Sequence, residues 1–448
     1  VITWTDKSAS WTVVPNARGY LVSLAKGSET LVTETLIETT RDYTTEIELA
    51  GTGSYTITVT AIGDGETYGN SDPAENTVTI TVNTASVTFA VTAEEGRAFA
   101  EDEPVITLTM ADGKTTLSLT NNTAKTIPQG TYTYEVKAKT FATLTDTLNV
   151  TANQTVTLTM HYTTDWDGST TVEPQKDGET YLISNSYELA WFRDEVNKGK
   201  YTLNARLTEN INLGGHPWTA ISKLTDTSAK TGYKGTFDGN GKTITGLYMD
   251  GEDAISGLFG YVGKTGSIHD LTIADASVKS MKTGSYNPKV YTALAAASNA
   301  GTISNVTLKN SMISSGGYAG GIAALNEGTI TGCANESAPV THNEKATSSY
   351  YALAGGIAGQ NSGTIALSYN LARVTGGKEN SGHIGGIAGK NESAGTIESC
   401  YNRGDIQTGA YLGGITGYLS GTATNCYSTG SCLLYTSPSP RDLSTPRM

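Results

Sequence analysis

The sequence has little charge. Asp, Glu, Lys and Arg make up 16% of 448 residues, the net charge is −13, and there is no run of Arg or Lys. A nucleic-acid binder needs cations along the phosphates, so that class is excluded as a partner. No apolar run reaches the 18 or more residues of a membrane helix, and no membrane insertion is expected of this stretch of chain. Cysteine is scarce: Cys333, Cys400, Cys426 and Cys432, with no CxxC pair and no His at zinc-ligand spacing. A disulfide scaffold is not expected. The five His begin no HExxH, and there is neither a G-x-S-x-G elbow nor a phosphate loop. The expectation is therefore no catalytic residue, no cofactor and no metal. The chain opens at VITW inside a strand-like pattern, which reads as a fragment, so a missing signal peptide says nothing about secretion.

What is present is β-favouring. Gly stands at 51 and Tyr (24) far outnumbers Phe (6), among abundant Thr, Ser and Asn. Thr, Tyr, Val and Ile fit pleated half-buried surfaces, and Gly and Asn fit turns. Residues 1–83 alternate: Trp11, Val13, Tyr20, Val22 and Leu24 are expected inward, as are Tyr55, Ile57, Val59 and Ala61. The order W…P-x-A-x-G-Y-x-V…Y-x-I-x-V-x-A…Y-x-N-S resembles a fibronectin type III domain, a family of spacers and binding modules. Residues 84–161 alternate again, and IPQGTYTYEVKA followed by TLNVTANQTVTLTM resembles the small Greek-key sandwiches of bacterial surface proteins (PEGA-like or carboxypeptidase-regulatory-like). Residues 162–180 read as a polar linker. DWDG at 165–168 lacks the rest of an EF-hand loop, so a solvated turn accounts for it.

SNSYELAWFRDEVNKGK predicts a helix over 186–198. Asn185 is placed to cap it, Glu188 to return the bond, and Gly199 to occupy the left-handed C′ position. Leu189, Phe192 and Val196 share one face. Such a helix before a repeat array is what a solenoid needs to cover its open end.

From there the chain repeats itself. G-[TS]-[IA] begins at Gly266, Gly301, Gly328, Gly363, Gly395 and Gly421, at spacings of 35, 27, 35, 32 and 26. Each unit reads as one coil of a parallel β-solenoid. Equivalent residues then stack about 4.8 Å apart. Ile268, Ile303, Ile330, Ile365, Ile397 and Ala423 form one expected buried column. Leu271, Val306, Cys333, Ser368, Cys400 and Cys426 form another, in which Cys replaces Leu or Val and so acts as a small hydrophobe. Offsets of two and five cannot both point inward on a straight strand, so a bend must lie between them. Asn335, Asn370 and Asn402, and separately Asn299, Asn326, Asn361 and Asn391, are expected to stack and to satisfy turn backbone. The Gly pairs at 320–321, 355–356, 385–386 and 413–414 mark tight backbone approach.

The phrase GGIAGxNxGTIxxCYN, with ELAWF…VNKG, NINLGG…WTAI and GTFDGNGKTITGL before it, resembles the GLUG repeat of bacterial cell-surface and secreted proteins. The resemblance covers about residues 181–431. It implies a right-handed parallel β-helix in adhesin-like proteins, and in some IgA-cleaving metallopeptidases as a non-catalytic part. The whole is expected to be all-β: two β-sandwich domains, then a β-helix with an N-terminal capping helix.

Outward residues carry what function there is. Tyr350, Tyr351, Tyr369, Tyr401, Tyr411, Tyr418 and Tyr427 gather in the last coils, where exposed rings serve sugars or protein partners. A β-helix polysaccharide enzyme would instead group carboxylates. Its candidates are Asp238, Asp250, Asp253, Asp270 and Asp275, of which Asp238 is explained by an Asx turn. The leading expectation is an extracellular bacterial surface protein fragment, a structural and adhesive array facing glycans or surface proteins. The alternatives are a carbohydrate-active β-helix enzyme and a non-catalytic stalk of a larger enzyme. The last words, CLLYTSPSPRDLSTPRM (432–448), break the rhythm and resemble the translation of a sequencing-library adapter, a contaminant of metagenomic assemblies. They are expected to be disordered.

Overall fold

A computed structural model describes residues 1–93, 99, 103–138, 141–161, 163, 166–223, 232–251, 253–280, 290–342, 352–377 and 382–433. The chain divides into two compact units, residues 1–163 and 164–448.

The first unit is built of mainly antiparallel sheets around two cores. In the first, a three-stranded sheet (Ile2–Thr5, Ser8–Trp11, Thr40–Asp42) accompanies a four-stranded one in which Gly19–Lys26 and Gly53–Ile62 are central. Alternation along Gly53–Ile62 sends Tyr55, Ile57, Val59 and Ala61 into the core and the Thr between them outward. Trp11 is buried as expected, but Val13 is 67% exposed, because the strand ends at Trp11 and the chain turns through Pro15. A short helix, α1 (Thr44–Ala50), was not expected. Its seven residues are too few to show a helical period, and TTEIELA is rich in Thr and Ile. Tyr55 locks it: the phenol donates to Ile47 O at 3.2 Å and contacts Gly51 O.

The second core lies between a four-stranded antiparallel sheet and a three-stranded one, with Val87, Phe89, Ile106, Leu108, Tyr132, Val136 and Met160 buried. Here the last strand, Gln154–Met160, lies parallel to the first, Thr84–Ala93. Hairpin patterning shows antiparallel neighbours only, so this pairing was invisible to it.

The second unit is a solenoid of parallel strands. One coil runs Thr329–Thr331, Ala334–Asn335, Val340–His342, Leu353–Gly355 and Ala358–Asn361, then re-enters the first column at Thr364–Ala366. The expected columns are present in register. Ile268, Ile303, Ile330, Ile365 and Ile397 stack and are fully buried, and Ala423 pairs next. The required bend is also there. The residue at offset four is left-handed in every copy: Asp270, Asn305, Gly332, Leu367, Ser399 and Asn425, with φ between 51° and 63°. One left-handed residue rotates the strand so that offsets two and five both face the core. Cys333 and Cys400 are accordingly buried free thiols, and burial raises their pKa to about 12 and about 11. A thiol held in that range is no nucleophile at neutral pH.

Two polar columns run through the interior. Asn299 donates to Asn326, Asn326 to Asn361 and Asn361 to Asn391, at 2.8, 2.8 and 2.7 Å. Asn370 donates to Asn402 at 2.8 Å, and Asn402 to Ser428 at 3.2 Å. The Gly pairs are enforced by backbone approach: a Cβ on Gly320 would lie 1.8 Å from Ala323 O.

The helix α2 (Ser186–Asn197) opens with Asn185 accepting from Glu188 N at 3.1 Å. Glu188 returns the bond one residue earlier than expected, to Ser184 N at 2.7 Å. Leu189, Phe192 and Val196 are fully buried, and Gly199 has φ +105°. Residues 162–180 are not a simple linker. Trp166 is 1% exposed and meets Trp218 edge-on at 5.9 Å, while the Arg193 guanidinium of α2 lies 4.7 Å from the Trp218 ring. Trp166, Asp167 and Gly168 therefore belong to the covered end of the solenoid. Gln175–Asp177 adds an antiparallel edge strand beside Thr180–Ile183. At the other end Cys432–Leu433, in the stretch expected to be disordered, pairs with Ile406–Gln407. Residues 434–448 lie outside the described residues.

Candidate functional site

The coil puts repeated residues inside and variable ones outside, so the outward columns are the candidate surface. Six residues after each tripeptide Gly, one outward column reads Ala334, Tyr369, Tyr401 and Tyr427. Tyr369 and Tyr401 stack at 4.9 Å with planes 6° apart, and Tyr401 and Tyr427 at 5.3 Å and 7°. Strand spacing sets both distances. The rings spend their faces on each other, which leaves a rim and a row of hydroxyls for a ligand. Arg403 lies 5.4 Å from the Tyr401 ring, and the Tyr369 hydroxyl donates to Glu336 at 3.2 Å. Burial first, and the Glu336 charge second, push the Tyr369 phenol above its ordinary range.

Tyr411 and Tyr418 stand apart from that column, on two other sheets, and are joined by His383. His383 stacks on Tyr411 at 4.8 Å and lies 5.1 Å from Tyr418. Lys390 sits 5.3 Å from the Tyr418 ring and 2.8 Å from Glu392. Burial and the Lys390 charge hold His383 below its ordinary pKa. Tyr291 and Tyr318, which the repeat alignment did not single out, belong to the same column as His383 and Tyr411: Ile255, Tyr291, Tyr318, Leu353, His383, Tyr411. Both are buried, 5.3 Å apart. Insertions of unequal length before each copy hide that register. Tyr350 and Tyr351 lie outside the described residues.

The five candidate carboxylates do not assemble as an acid–base pair. Asp250 faces Lys279 at 3.8 Å and Asp253 faces Lys223 at 3.2 Å, both as ion pairs between coils. Asp275 is a left-handed turn residue, φ 51°. Only Asp238 and Asp270 come together, either side of His269. Asn305 and His269 hold Asp270 below the usual carboxylate range, the opposite of what a general acid needs. Asp238 is paired with Arg206 at 2.9 Å and does accept the expected turn bond, from Asn240 N at 2.7 Å.

Residues 380–407 match the sequence profile of the GLUG motif. The chain is 29% identical over 307 residues to Halomucin of Haloquadratum walsbyi, a likeness covering 62% of this chain and 3% of that protein. It thus spans a small fraction of the length of that relative. Solved structures with partial likeness are the Bacillus anthracis TIE protein (8% identity, 35% of this chain and 36% of that one, TM-score 0.15) and GBS52, the minor pilin of Streptococcus agalactiae (12%, 35% and 87%, TM-score 0.16). At those TM-scores neither bears on the fold or function of this chain.

Proposed function

We propose that this is an extracellular surface protein of structural and adhesive role. Its solenoid is a rigid array that presents outward aromatic columns to glycans or proteins of a neighbouring surface. The observation that carries the reading is the separation within each coil. The repeated Ile, Asn and Gly-Gly residues before the last coil, with Cys333 and Cys400, are buried, while the column Tyr369–Tyr401–Tyr427 is outward, in register and absent from the earlier coils. The GLUG match and the likeness to Halomucin support a surface setting. Residues 1–83 fit a fibronectin type III-like spacer, supported by the three-plus-four sheet arrangement and the Tyr55 hydroxyl tied back to α1. The adapter-like words from Cys432 are read as foreign to the gene, which resequencing the locus tests.

The function is tested by screening the full chain against glycan, mucin and matrix-protein arrays, beside Tyr401→Ala and Tyr411→Ala. Binding that drops by about 1 kcal/mol or more in one variant supports the reading and says which column is used. Equal binding by all three proteins, or none by any, rejects it.

A further inference from the structure

Four consecutive coils converge on one outward spot of the long sheet. Asp238 ends the strand Thr236–Asp238 and pairs directly with His269 of the next coil. Asp270 follows His269 in sequence, and on a straight strand it would face away. It is the left-handed bend residue, φ 54°, and the bend returns its carboxylate to the imidazole. His269 Nδ1 lies 2.8 Å from Asp270 Oδ2 and 3.6 Å from Asp238 Oδ1. One ligand atom from each of the three residues lies within 4.8 Å of the others. All three side chains are partly open to solvent, at 20%, 27% and 46% exposure for Asp238, His269 and Asp270.

We propose that Asp238, His269 and Asp270 are a three-ligand site for a divalent ion of the zinc type, with a fourth position open to solvent. The spacing fits. Zinc bonds to N and O of about 2.0–2.1 Å put neighbouring tetrahedral ligands about 3.3 Å apart, between the two observed distances. The outer shell is also in place. Each carboxylate turns one oxygen to Nδ1, that of Asp238 also accepting from Asn240 N at 2.7 Å, and has the other tied to a donor from a different coil. Arg206 Nε holds Asp238 Oδ2 at 2.9 Å, and Asn305 Nδ2 holds Asp270 Oδ1 at 2.8 Å. Second donors of this kind fix the orientation of ligating carboxylates. An imidazole among few oxygens selects a borderline transition ion, since calcium takes six to eight oxygens and magnesium an octahedron of them. Binding requires Nδ1 without its proton, so the imidazole takes the Nε2–H tautomer. The ion would clamp two coils directly, with Arg206 and Asn305 bringing in one more on each side.

The test uses untagged full chain, stripped with a chelator and titrated with Zn2+ by calorimetry and with Co2+ by visible absorption. One equivalent of Zn2+ should bind, and Co2+ should give the intense bands of a four-coordinate N/O site. His269→Ala should abolish both, and Asn305→Ala should weaken binding about tenfold while leaving all three ligands in place. Unchanged far-UV circular dichroism in the variants shows that loss of binding is not loss of fold. If His269→Ala stops folding, His269→Gln replaces it, with the same loss expected. No stoichiometric binding by the wild type, or equal binding by a folded His269 variant, overturns the site.

Discussion

Asn326 and Asn361 meet in the solenoid interior, with the Nδ2 of one donating to the Oδ1 of the other at 2.8 Å. Each is fully buried, and each also donates to turn and strand carbonyls: Asn361 to Gly363 O at 3.2 Å and to Thr396 O at 3.3 Å. A buried amide is tolerated only when its donors and acceptor are satisfied, and here the next coil supplies the partners. The column is therefore cooperative between coils. Asn361→Ala takes the side-chain acceptor from Asn326 Nδ2 and the donor from the buried Asn391 Oδ1, and should destabilise the coils around it by about 2–4 kcal/mol. Hydrogen exchange at the amides of 326–331 and 361–366 measures this. Protection equal to wild type would show that the column is decorative.

The bend column makes an opposite prediction. Five of its six members are Asp, Asn, Gly or Ser, the residues that visit left-handed φ or that commonly occupy turns. The sixth is Leu367, with φ 51° and 67% exposure. A bulky side chain there costs about 1–2 kcal/mol, and nothing in its packing returns that amount. Leu367→Asn should raise the unfolding free energy by about 1 kcal/mol, read as a rise in denaturant midpoint. A lowered midpoint would mean that Leu367 makes contacts worth more than the strain.

Such columns were legible in the sequence because a solenoid turns spatial neighbours into aligned letters. The bend was legible as well, since Ile330 and Cys333 could not both face inward without it. What escaped reading was aperiodic. Trp166 meets Trp218 and Arg193 across 52 and 27 residues with no repeat to align them. The pairing of Asp238 with His269 was available in principle, because GTFD at Gly235 aligns with GSIH at Gly266. Phe237 in place of Ile takes that copy outside the G-[TS]-[IA] pattern. The Tyr291 column escaped for another reason: unequal insertions separate its members in sequence while the strands keep them in step.

Gly386 tests the closeness of the Gly-Gly corners. A Cβ there would lie 2.2 Å from Gly414 O and 2.3 Å from Asn402 Cγ, one a backbone atom and the other held in the second Asn column. Neither can retreat without loosening a neighbouring coil. Gly386→Ala should cost about 3 kcal/mol, through overpacking, and should lower thermal stability. Gly65→Ala is the control for substitution as such: its Cβ would meet nothing, and only its left-handed φ of 76° is at stake, so its loss should be smaller. Equal losses in the two variants would rule out crowding at the corner as the cause.

His342 gives the solenoid a dependence on pH. It is 2% exposed, in a column with Ser280 and Ser315, and burial lowers its pKa to about 4, partly opposed by the Gly316 backbone. The sign follows from the two states. Above the unfolded value of about 6.5 both states hold a neutral ring and stability is at its full level. As pH falls through 6.5 the unfolded chain takes up a proton that the native fold refuses, so stability declines. The decline ends near pH 4, where the native ring also protonates, and it totals about 3 kcal/mol. Carboxylates titrate towards the acid end of this window, so the wild type must be compared with His342→Leu. The variant should show a shallower slope between pH 6.5 and 5, where few carboxylates change charge and the lowered His383 still contributes, and should keep the carboxylate part of the slope below it. Matching curves for the two proteins across pH 5–6.5 would show that His342 is not protonated differently in the folded and unfolded states.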